Sequence, residues 1–567
     1  MLLQTPLPKA PAQRSFWQAP HGAGLALAVT EAARQHDGLL VVACHDGQSA
    51  NRLHRELGFF AEDLRVDLFP DWETLPYDRF SPHPDIISAR VASLHRLPGA
   101  DKGILVVPVS TLMQRLAPRS HVAGSGLDLE RGQVLAIEQE QQRLQSVGYQ
   151  HVSQVSEPGD FAVRGGLIDI YPMGAPLPFR VELLDEEIDS IRSFDPETQR
   201  SIEPMDRIRL LPGREYPTTD AAARKFRSRL RERFPIDVRR CPLYQDMREG
   251  VTPSGIEYYL PLFFEHTETL FDYLHEDALL VIDEGAMPSA EQFWQHTGER
   301  YEQRAHDVER PILPPGELYL APDELRRELN LRKCIEIVQP DQRHSVALGT
   351  SPVPELPLKH SGSDADSNFA QWFGETTQRV LVAADTAGRR EALADQLAAI
   401  TRRPDSITGW QAFVADGAPE FAITTAELGR GFALAEQGIA VLTEHELLGE
   451  QTRRSRRRAE AAGRDPDAII RDLSELEIGA PIVHADHGVG RYRGLEHLDV
   501  GDNPDEFLAI EYAKGAKLFV PVAQLSMVSR YSGASPELAP LHSLGGEAWQ
   551  RAKRKAAEKV RDVAAEL

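Results

Sequence analysis

Apolar residues in the first third of this chain form short unbroken runs, each followed by helix-spaced positions. Such runs occur at Leu39–Cys44 and Ile104–Val107, and helical spacing follows over Gln48–Leu57 and Thr111–Leu116. A third run, Ala278–Ile282, comes much later. Because strands that are buried on both faces are apolar throughout, these runs predict a parallel sheet with helices on both sides.

Residues 121–210 have a different, β-rich pattern. Ala162–Tyr171 predicts one strand and Phe179–Leu184 predicts another. Alternation puts Arg180 and Leu184 on one face of the second strand. An apolar side chain beside a guanidinium is typical of a protein-binding surface, although a solvated face with one stray leucine is the alternative. The economical interpretation is an antiparallel β insertion that emerges from the α/β domain.

After residue 338 the pattern changes again. Pro, Ser, Gly and Asp are frequent over 339–374 and predict a linker. A strand–helix–strand pattern over 375–455 predicts a small α/β domain. The arginine run Arg453–Arg458 introduces a linker over 456–472, and this run is either solvated or in contact with nucleic acid.

The last part of the chain predicts a small barrel and a helix. Short strands separated by Gly turns over 473–546 indicate the barrel. Residues 547–567 are rich in Ala and charged side chains, lack Gly and Pro, and have no C-cap signal. We therefore expect a helix there that belongs to a longer chain.

One segment has the positions of a phosphate loop without its chemistry. Within Ala19–Ala26, Gly22 and Gly24 are retained, but Leu25 and Ala26 stand where the form G-x-x-x-x-G-K-[ST] requires a lysine and a hydroxyl. An apolar pair neither neutralises a triphosphate nor holds Mg²⁺. The loop therefore indicates a nucleotide fold that has lost its nucleotide.

Asp283 and Glu284 follow the third apolar run, where a nucleotide-binding sheet holds its magnesium-binding and catalytic acids. An acidic turn at a strand end is the alternative interpretation. Combined with the degenerate loop, the pair favours a decayed nucleotide fold without catalytic residues. The competing hypothesis is a nucleotide hydrolase with an unconventional site that uses Asp283 and Glu284.

Composition narrows the class of protein. The chain has 567 residues, a net charge of −23 and three cysteines without CxxC spacing, which indicates a reduced, cytoplasmic protein. No apolar run is long enough to predict a membrane span. The charge disfavours extensive coating by nucleic acid, because phosphate contacts need Lys and Arg. His484, Asp486 and His487 lie close in sequence, but no further Cys/His cluster completes a metal site, so no metal is expected.

Four motifs in a fixed order resemble one family. They are Phe69–Asp78, Arg164–Pro172, Tyr258–Phe264 and His484–Gly494. The chain resembles the N-terminal half of the bacterial transcription-repair coupling factor family (Mfd). The first motif is shared with the excision-repair protein UvrB, and the last is similar to a Tudor-like barrel found in CarD regulators.

The resemblance implies a fold class and a domain order. The fold is multidomain α/β, with a degenerate RecA-like UvrB-homology module, an inserted β-rich domain, a small α/β domain, a Tudor-like (CarD-type) barrel and a helix. The implied domains are 1a (1–120), 2 (121–210), 1b (211–338), a linker (339–374), 3 (375–455), a basic linker (456–472), the RNA polymerase-interacting domain (473–546) and the start of a relay helix (547–567).

The resemblance also implies partner sites. Domain 2 would bind the damage sensor UvrA through Arg164, Arg180 and Leu184, and the family often has an aromatic residue at the third position. The barrel would add an edge strand to the β subunit of RNA polymerase through Leu495, Leu498 and Val500.

The implied function is transcription-coupled nucleotide excision repair: binding of polymerase stalled at a lesion and recruitment of UvrA. ATP and Mg²⁺, and most contact with double-stranded DNA, would belong to translocase domains that this chain lacks, so no cofactor and no enzyme activity are expected in it. The path from Pro76 to Leu94 is too short for the lesion-checking hairpin of UvrB. Without the far C-terminal domain that masks domain 2, UvrA binding would be constitutive. The alternative is a CarD-like polymerase-binding regulator without a repair role.

Overall fold

The computed structural model describes residues 2–124, 126–234, 237, 240–307, 309–340, 344–358, 364–448, 479–484, 488–499, 504–521, 528–530 and 541. The chain divides into two compact units, Met1–Gly449 and Glu450–Leu567. The predicted basic linker, 456–472, and the predicted terminal helix, 547–567, lie outside the described residues.

The first 124 residues contain helices and strands in alternation. In chain order they are β1 (Arg14–Gln18), α1 (Gly24–Gln35), β2 (Leu39–Cys44), α2 (Gly47–Phe60), β3 (Val66–Leu68), α3 (Pro84–Arg96), β4 (Gly103–Pro108), α4 (Val109–Leu112), β5 (Arg115–Leu116) and α5 (Arg119–Gly124).

The insertion, defined here as Leu127–Leu210, is mostly β. It contains β6 (Leu127–Glu130), α6 (Ile137–Ser146), β7 (Gln150–His151), β8 (Asp160–Arg164), β9 (Leu167–Ile170), β10 (Phe179–Leu184), β11 (Glu187–Phe194), β12 (Ser201–Met205) and β13 (Arg207–Leu210).

The chain then returns to the first sheet. This part contains α7 (Asp220–Arg233), α8 (Pro242–Glu249), β14 (Glu268–Thr269), α9 (Leu270–Tyr273), β15 (Leu279–Ile282), α10 (Ala286–Arg304), α11 (Pro315–Leu318), α12 (Pro322–Asn330) and β16 (Lys333–Val338).

A third group of elements, the second α/β module, completes the first unit. It contains β17 (Thr350–Ser351), α13 (Asp364–Glu375), β18 (Arg379–Ala384), α14 (Ala387–Ile400), β19 (Asp405–Ser406), α15 (Gly409–Val414), β20 (Phe421–Thr425), β21 (Phe432–Leu434), β22 (Ile439–Thr443) and α16 (Glu444–Leu448). The second unit contains β23 (Pro481–His484), β24 (Gly488–Asp499), β25 (Pro504–Glu511), β26 (Lys517–Pro521) and β27 (Val528–Arg530).

Three six-stranded sheets organise the first unit. The first has the order β1-β16-β15-β2-β4-β3 and every pairing in it is parallel. The insertion has the order β12-β11-β10-β9-β8-β7 and is antiparallel except for the β7–β8 pair. The second α/β module has the order β17-β21-β22-β18-β20-β19. The apolar runs at β2, β4 and β15 are buried throughout, which is why they form central parallel strands.

The second unit contains a five-stranded antiparallel sheet among its described residues. Its order is β26-β25-β24-β23-β27. Ile482, Leu508, Ile510, Tyr512 and Val520 form its core. These strands lie within 473–546, where the sequence predicts short strands.

Three predictions about local structure were wrong. The segment Ala162–Tyr171 is two strands, because Gly165 adopts a φ of 60° and turns the chain directly back on itself. The helix predicted over Thr111–Leu116 ends at Leu112, and Arg115–Leu116 pairs with β14 instead. Pairing with a distant strand is a tertiary event that local spacing does not encode.

The third correction concerns the predicted linker over 339–374. It contains β17 and most of α13, and Leu356 within it is buried. The N–H of Leu356 donates to the carbonyl of Glu446 at 2.8 Å. The described part of this Pro- and Ser-rich segment therefore belongs largely to the second α/β module.

A buried ion pair joins the first sheet to the chain returning from the insertion. Arg90 donates from Nε and Nη2 to the two carboxylate oxygens of Glu215, at 2.6 and 3.2 Å, and both side chains are buried. The Arg90 guanidinium also lies 4.4 Å from the ring centroid of Phe69 and donates to the carbonyl of Pro70. Trp72 donates its indole N–H to Glu215. Phe69, Pro70 and Trp72 of the motif Phe69–Asp78 therefore surround this buried ion pair.

Candidate functional sites

The loop between β1 and α1, which we call the β1–α1 loop, is occupied by the second α/β module. The backbone N–H of Ala23 donates to the carbonyl of Arg430 at 2.9 Å. Gly22 has a φ of 52°, and a Cβ at this position would lie 2.4 Å from the carbonyl oxygen of Gly431. A phosphate at the start of a helix is bound by such backbone N–H groups. Here the Ala23 N–H is bound to protein backbone instead.

The first residues of α1 bring no polar side chain to the β1–α1 loop. Ala26 is fully buried, and Leu25 packs against the apolar core. A Cβ on Gly24 would lie 3.0 Å from a methyl group of Thr350. The N–H of His21 donates to Oγ1 of Thr350 at 3.1 Å. Strand β17 and the segment at 430–431 therefore close the loop from one side.

The two acids after β15 are also engaged by protein. Asp283 Oδ2 lies 2.5 Å from Nδ1 of His45, and Nε2 of His45 lies 2.8 Å from Oγ of Ser49. Glu284 accepts a hydrogen bond from the side-chain amide of Gln339. These two carboxylates, which the sequence assigned to a degenerate nucleotide site, thus have side-chain partners that lie just after β2 and β16.

Ser49, His45 and Asp283 form a chain of hydrogen bonds in the same order as the serine, histidine and aspartate of a catalytic triad. Ser49 is only 6% exposed, and its N–H donates to the Asp46 side chain at 2.7 Å, which fixes it in the first turn of α2. A nucleophile has to be reached by its substrate. The buried position of Ser49 therefore indicates a structural network.

On the insertion, Arg180 is held by its neighbours rather than extended into solvent. Its Nε and Nη2 donate to the two oxygens of Asp169 at 2.8 and 3.0 Å, and its guanidinium lies 4.9 Å from the ring centroid of Phe194. The Arg180 side chain is 18% exposed and that of Asp169 is 1% exposed. The hydrogen bonds that Arg180 donates to Asp169 raise the pKa of Arg180. This guanidinium is therefore fixed in orientation before any partner arrives.

Arg164 and Leu184 are more accessible. Leu184 is 70% exposed, and Arg164 is exposed while donating to the carbonyl of Ser153 at 2.6 Å. Arg164 pairs with Leu167 across β8 and β9, and the N–H of Leu183 donates to the carbonyl of Gly166. The turn after Arg164 and the end of β10 are therefore adjacent, which brings Arg164 and Leu184 to the same end of the sheet.

Strand register also reveals a residue that the sequence prediction missed. Arg192 on β11 is exposed and lies directly opposite Arg180. Residues paired across two strands point to the same face, so Arg192 extends the face that carries Arg180. Alternation within Glu187–Phe194 is a signal that could have predicted its outward direction, but its neighbour on the next strand depends on register.

The predicted polymerase-binding segment lies on β24. This strand pairs with β25 throughout Arg491–Asp499, with Leu495 opposite Leu508 and Leu498 opposite Asp505. Its other side pairs with β23 only as far as Arg491. Within the described residues, the second half of β24 is therefore a sheet edge. The side chains of Leu495 and Leu498, and all of Val500, lie outside the described part of the chain.

The described residues contain no group of three or more His, Cys, Asp and Glu able to hold a metal ion. Asp486 and His487, two of the three residues weighed as a metal site in the sequence, lie outside the described residues. The arginine run Arg453–Arg458 lies outside them as well. None of the described helices is long and apolar enough to cross a bilayer.

Three family models match separate segments of the chain. One described as "UvrB interaction domain" matches residues 127–216, one described as "MFD, D3 domain" matches 372–447, and one described as "CarD-like/TRCF RID domain" matches 476–532.

Relatives from several bacteria match nearly the whole chain. A protein of Haemophilus influenzae named "Transcription-repair-coupling factor" is 43% identical over 548 residues, which are 96% of this chain and 47% of that protein. The protein of the same name in Escherichia coli is 43% identical over 555 residues, covering 96% and 48%. In Bacillus subtilis the identity is 28% over 557 residues, covering 92% and 45%. The chain spans about half the length of these curated relatives.

Proposed function

Because the chain belongs to the transcription-repair-coupling factor family and corresponds to the N-terminal part of its members, we propose that it is a docking platform for transcription-coupled nucleotide excision repair. In this proposal it binds RNA polymerase stalled at a lesion and recruits UvrA. The observation that carries it is the presence of a UvrB interaction domain and a CarD-like polymerase-interacting domain in one chain. These partners imply a cytoplasmic location.

We assign polymerase docking to the second unit, through the β subunit. An open strand edge can pair with a sheet of another protein, and backbone hydrogen bonds then supply affinity while alternate side chains supply specificity. The second half of β24 has such an edge among the described residues. Leu495, Leu498 and Val500 remain the residues that we expect to contact polymerase.

Binding of the full chain to purified core RNA polymerase tests this assignment. We expect Leu498→Arg to weaken binding by about tenfold or more, since a charge would enter an apolar contact. His497→Arg is the matched control, because successive side chains of a strand point to opposite faces. Equal binding by the two variants, or loss in both, would contradict the assignment of this face.

We assign UvrA docking to the insertion face that carries Arg164, Arg180 and Leu184. The fixed fork of Arg180 and the exposed Arg164 suit recognition of carboxylates, and Leu184 supplies an apolar contact next to them. In this assignment Arg180 would contact UvrA without changing its orientation, because Asp169 and Phe194 already fix its guanidinium.

Leucine truncation tests the UvrA surface. Leu184→Ala is expected to weaken binding of the full chain to purified UvrA by about 1–2 kcal/mol. Leu331 is 65% exposed against 70% for Leu184, yet it lies outside the insertion, so Leu331→Ala is the matched control. If both variants bind UvrA as tightly as the unchanged chain, the insertion face is not the docking surface.

We infer that the β1–α1 loop is a decayed phosphate loop and that the chain turns over no nucleotide. Support comes from Leu25 and Ala26 and from the Arg430 carbonyl bound to the Ala23 N–H. ATP, Mg²⁺ and most contact with duplex DNA would then belong to the translocase part of the longer relatives. The competing hydrolase hypothesis requires ATP turnover that disappears in Asp283→Asn, and such turnover would overturn the inference.

A CarD-like polymerase regulator without a repair role is the alternative function. It shares the polymerase-binding unit with the main proposal and differs only at the insertion. Polymerase binding together with complete absence of UvrA binding by the folded full chain would favour this alternative.

A further inference from the structure

Helix α7 carries an unusual concentration of positive charge for a chain with a net charge of −23. Its 14 residues include two acids, Asp220 and Glu232, and six basic residues: Arg224, Lys225, Arg227, Arg229, Arg231 and Arg233. Ala222, Phe226 and Leu230 are its buried residues, and Thr219 caps its first turn by accepting from the Ala222 N–H. The helix is therefore anchored through one apolar face, and its basic side chains extend from the others.

The basic residues of α7 form two groups with different partners. The first group is neutralised within the protein: Lys225 and Arg229 pair with Glu265, and Arg233 pairs with Glu317. Arg229 and Arg233 line a hollow in the protein surface. Arg115 lines the same hollow, and its Nη2 lies 3.5 Å from a carboxylate oxygen of Glu324. Lys225 and Arg229 share one carboxylate, and Arg233 and Arg115 have one each, so all four cations are engaged within the protein.

The second group, which we call the arginine row, consists of Arg224, Arg227 and Arg231. None of the three pairs with a carboxylate among the described residues. Arg227 and Arg231 lie 5.7 and 5.9 Å from the ring centroid of Tyr244 on α8, and Arg224 and Arg231 are exposed. Asp220 begins the same row but forms no ion pair with Arg224. The row therefore presents three uncompensated guanidinium groups.

Helix energetics alone do not account for this row. A cation near the C-terminus of a helix is favoured by the helix dipole, which explains Arg231. Arg224 lies beyond the first turn and far from the last, so the dipole gives it no stabilisation, and it forms no ion pair with a carboxylate among the described residues. An external anion would supply the partner that the described part of the chain does not.

The spacing of the row indicates which anion. Positions 224, 227 and 231 recur at intervals of three and four, so they share one side of the helix and span about 10 Å along it. A strand of duplex DNA carries one phosphate per about 3.4 Å of axis, so the three intervals between four consecutive phosphates span a similar length. Guanidinium forks match phosphate oxygens, and Tyr244 restrains two of them in position. We propose that the arginine row binds the phosphodiester backbone of duplex DNA, independently of base sequence.

A salt titration of the full chain with a fluorescein-labelled DNA duplex tests the proposal by fluorescence anisotropy. Each phosphate contact contributes about 0.9 to the slope of log affinity against log salt. We expect Arg224→Gln combined with Arg231→Gln to lower this slope by about 2. Both side chains are exposed and neither donates a hydrogen bond in the described residues, so the variant is expected to fold, which its melting temperature verifies.

The matched control removes the same charge from the other side of the same helix. Lys225→Gln combined with Arg233→Gln takes two positive charges from residues that already have carboxylate partners. Its slope is expected to equal that of the unchanged chain. Arginines elsewhere, including Arg453–Arg458, are the same in all three proteins, so the difference in slope isolates the row.

Three results would overturn the proposal. The first is an unchanged slope in the Arg224/Arg231 variant. The second is an equal fall in the control, which would mean that only general charge attracts the DNA. The third is competition by polyglutamate as strong as that by unlabelled duplex at equal charge, which would identify an acidic protein as the occupant.

Discussion

The β1–α1 loop and the exposed face of the insertion differ in how they use their polar groups. At the loop, Ala23 binds a backbone carbonyl and a Cβ on Gly22 would overlap Gly431. On the insertion, Arg164 and Leu184 remain exposed to solvent. The loop is thus closed by packing, whereas the insertion face keeps side chains that a partner can reach.

The same contrast holds for acids. Glu257, in the short helical turn after α8, is buried, and desolvation raises its pKa to about 7. Asp128, on the exposed insertion, accepts from Arg209 and Arg207, and these hydrogen bonds lower its pKa to about 2. Burial disfavours a carboxylate, and an exposed arginine partner favours it.

The largest effect is expected from adding a side-chain atom at Gly22, where the β1–α1 loop has no room for it. Gly22→Ala combines a positive φ with a Cβ that would lie 2.4 Å from the Gly431 carbonyl oxygen. We expect it to destabilise the folded chain by about 3 kcal/mol or more, measured by urea unfolding.

Gly47→Ala is the control for that substitution. Gly47 begins α2, and nothing lies within 4 Å of a Cβ built there. Alanine is also the better helix former, so this variant is expected to be neutral or slightly more stable. A Gly22→Ala protein as stable as Gly47→Ala would mean that the loop is not closed by the second α/β module.

The second effect is a pH dependence. Between about pH 4.5 and pH 7, folded Glu257 holds a proton that the unfolded chain has lost, so its contribution to stability falls as pH rises through this window. Glu257→Gln removes this loss. The stability of the variant relative to the unchanged chain should therefore grow across the window, by up to about 3 kcal/mol.

Asp128→Asn is the control for the pH effect, since Asp128 is ionised in both states above about pH 4. Its stability difference from the unchanged chain should stay flat over the same window. Urea unfolding at several pH values measures both variants, and parallel curves for the two would refute the role of burial at Glu257.

A smaller effect is expected on the insertion face, at the ion pair between Asp169 and Arg180. Asp169→Asn removes the charge that fixes the Arg180 fork, and we expect a loss of about 2 kcal/mol in stability together with weaker UvrA binding. Unchanged values of both quantities would show that Asp169 does not position Arg180.

The smallest effect is expected at an exposed pair on the insertion. Arg207 pairs with Asp128 and Glu130 at 3.0 and 3.1 Å, and its side chain is 53% exposed. Solvent screens such a pair, so Arg207→Gln should change stability by less than about 0.5 kcal/mol in urea unfolding. If Arg207→Gln lost as much stability as Gly22→Ala, the exposed insertion would be as sensitive to substitution as the closed loop, which contradicts the comparison.

Part of the candidate site was predictable from sequence. Leu25 and Ala26 predicted a loop without phosphate-binding chemistry, because the absence of a lysine and of a hydroxyl can be read directly from the sequence. Leu184 was predicted to be outward-facing by alternation alone, and it is 70% exposed. The sequence did not predict that Arg180 is fixed by Asp169, nor that Arg192 lies beside it, because both depend on strand register.

The sequence by itself determined the central strands, since unbroken apolar runs such as Leu39–Cys44 have no stable place except between two covering layers. It did not determine the hairpin at Gly165, the burial of Leu356 or the partner of the Ala23 N–H. Those depend on segments far apart in the chain meeting at specific distances, such as the Arg430 carbonyl at 2.9 Å from Ala23. Local spacing specifies which face of an element is apolar, and only tertiary packing specifies what that face meets.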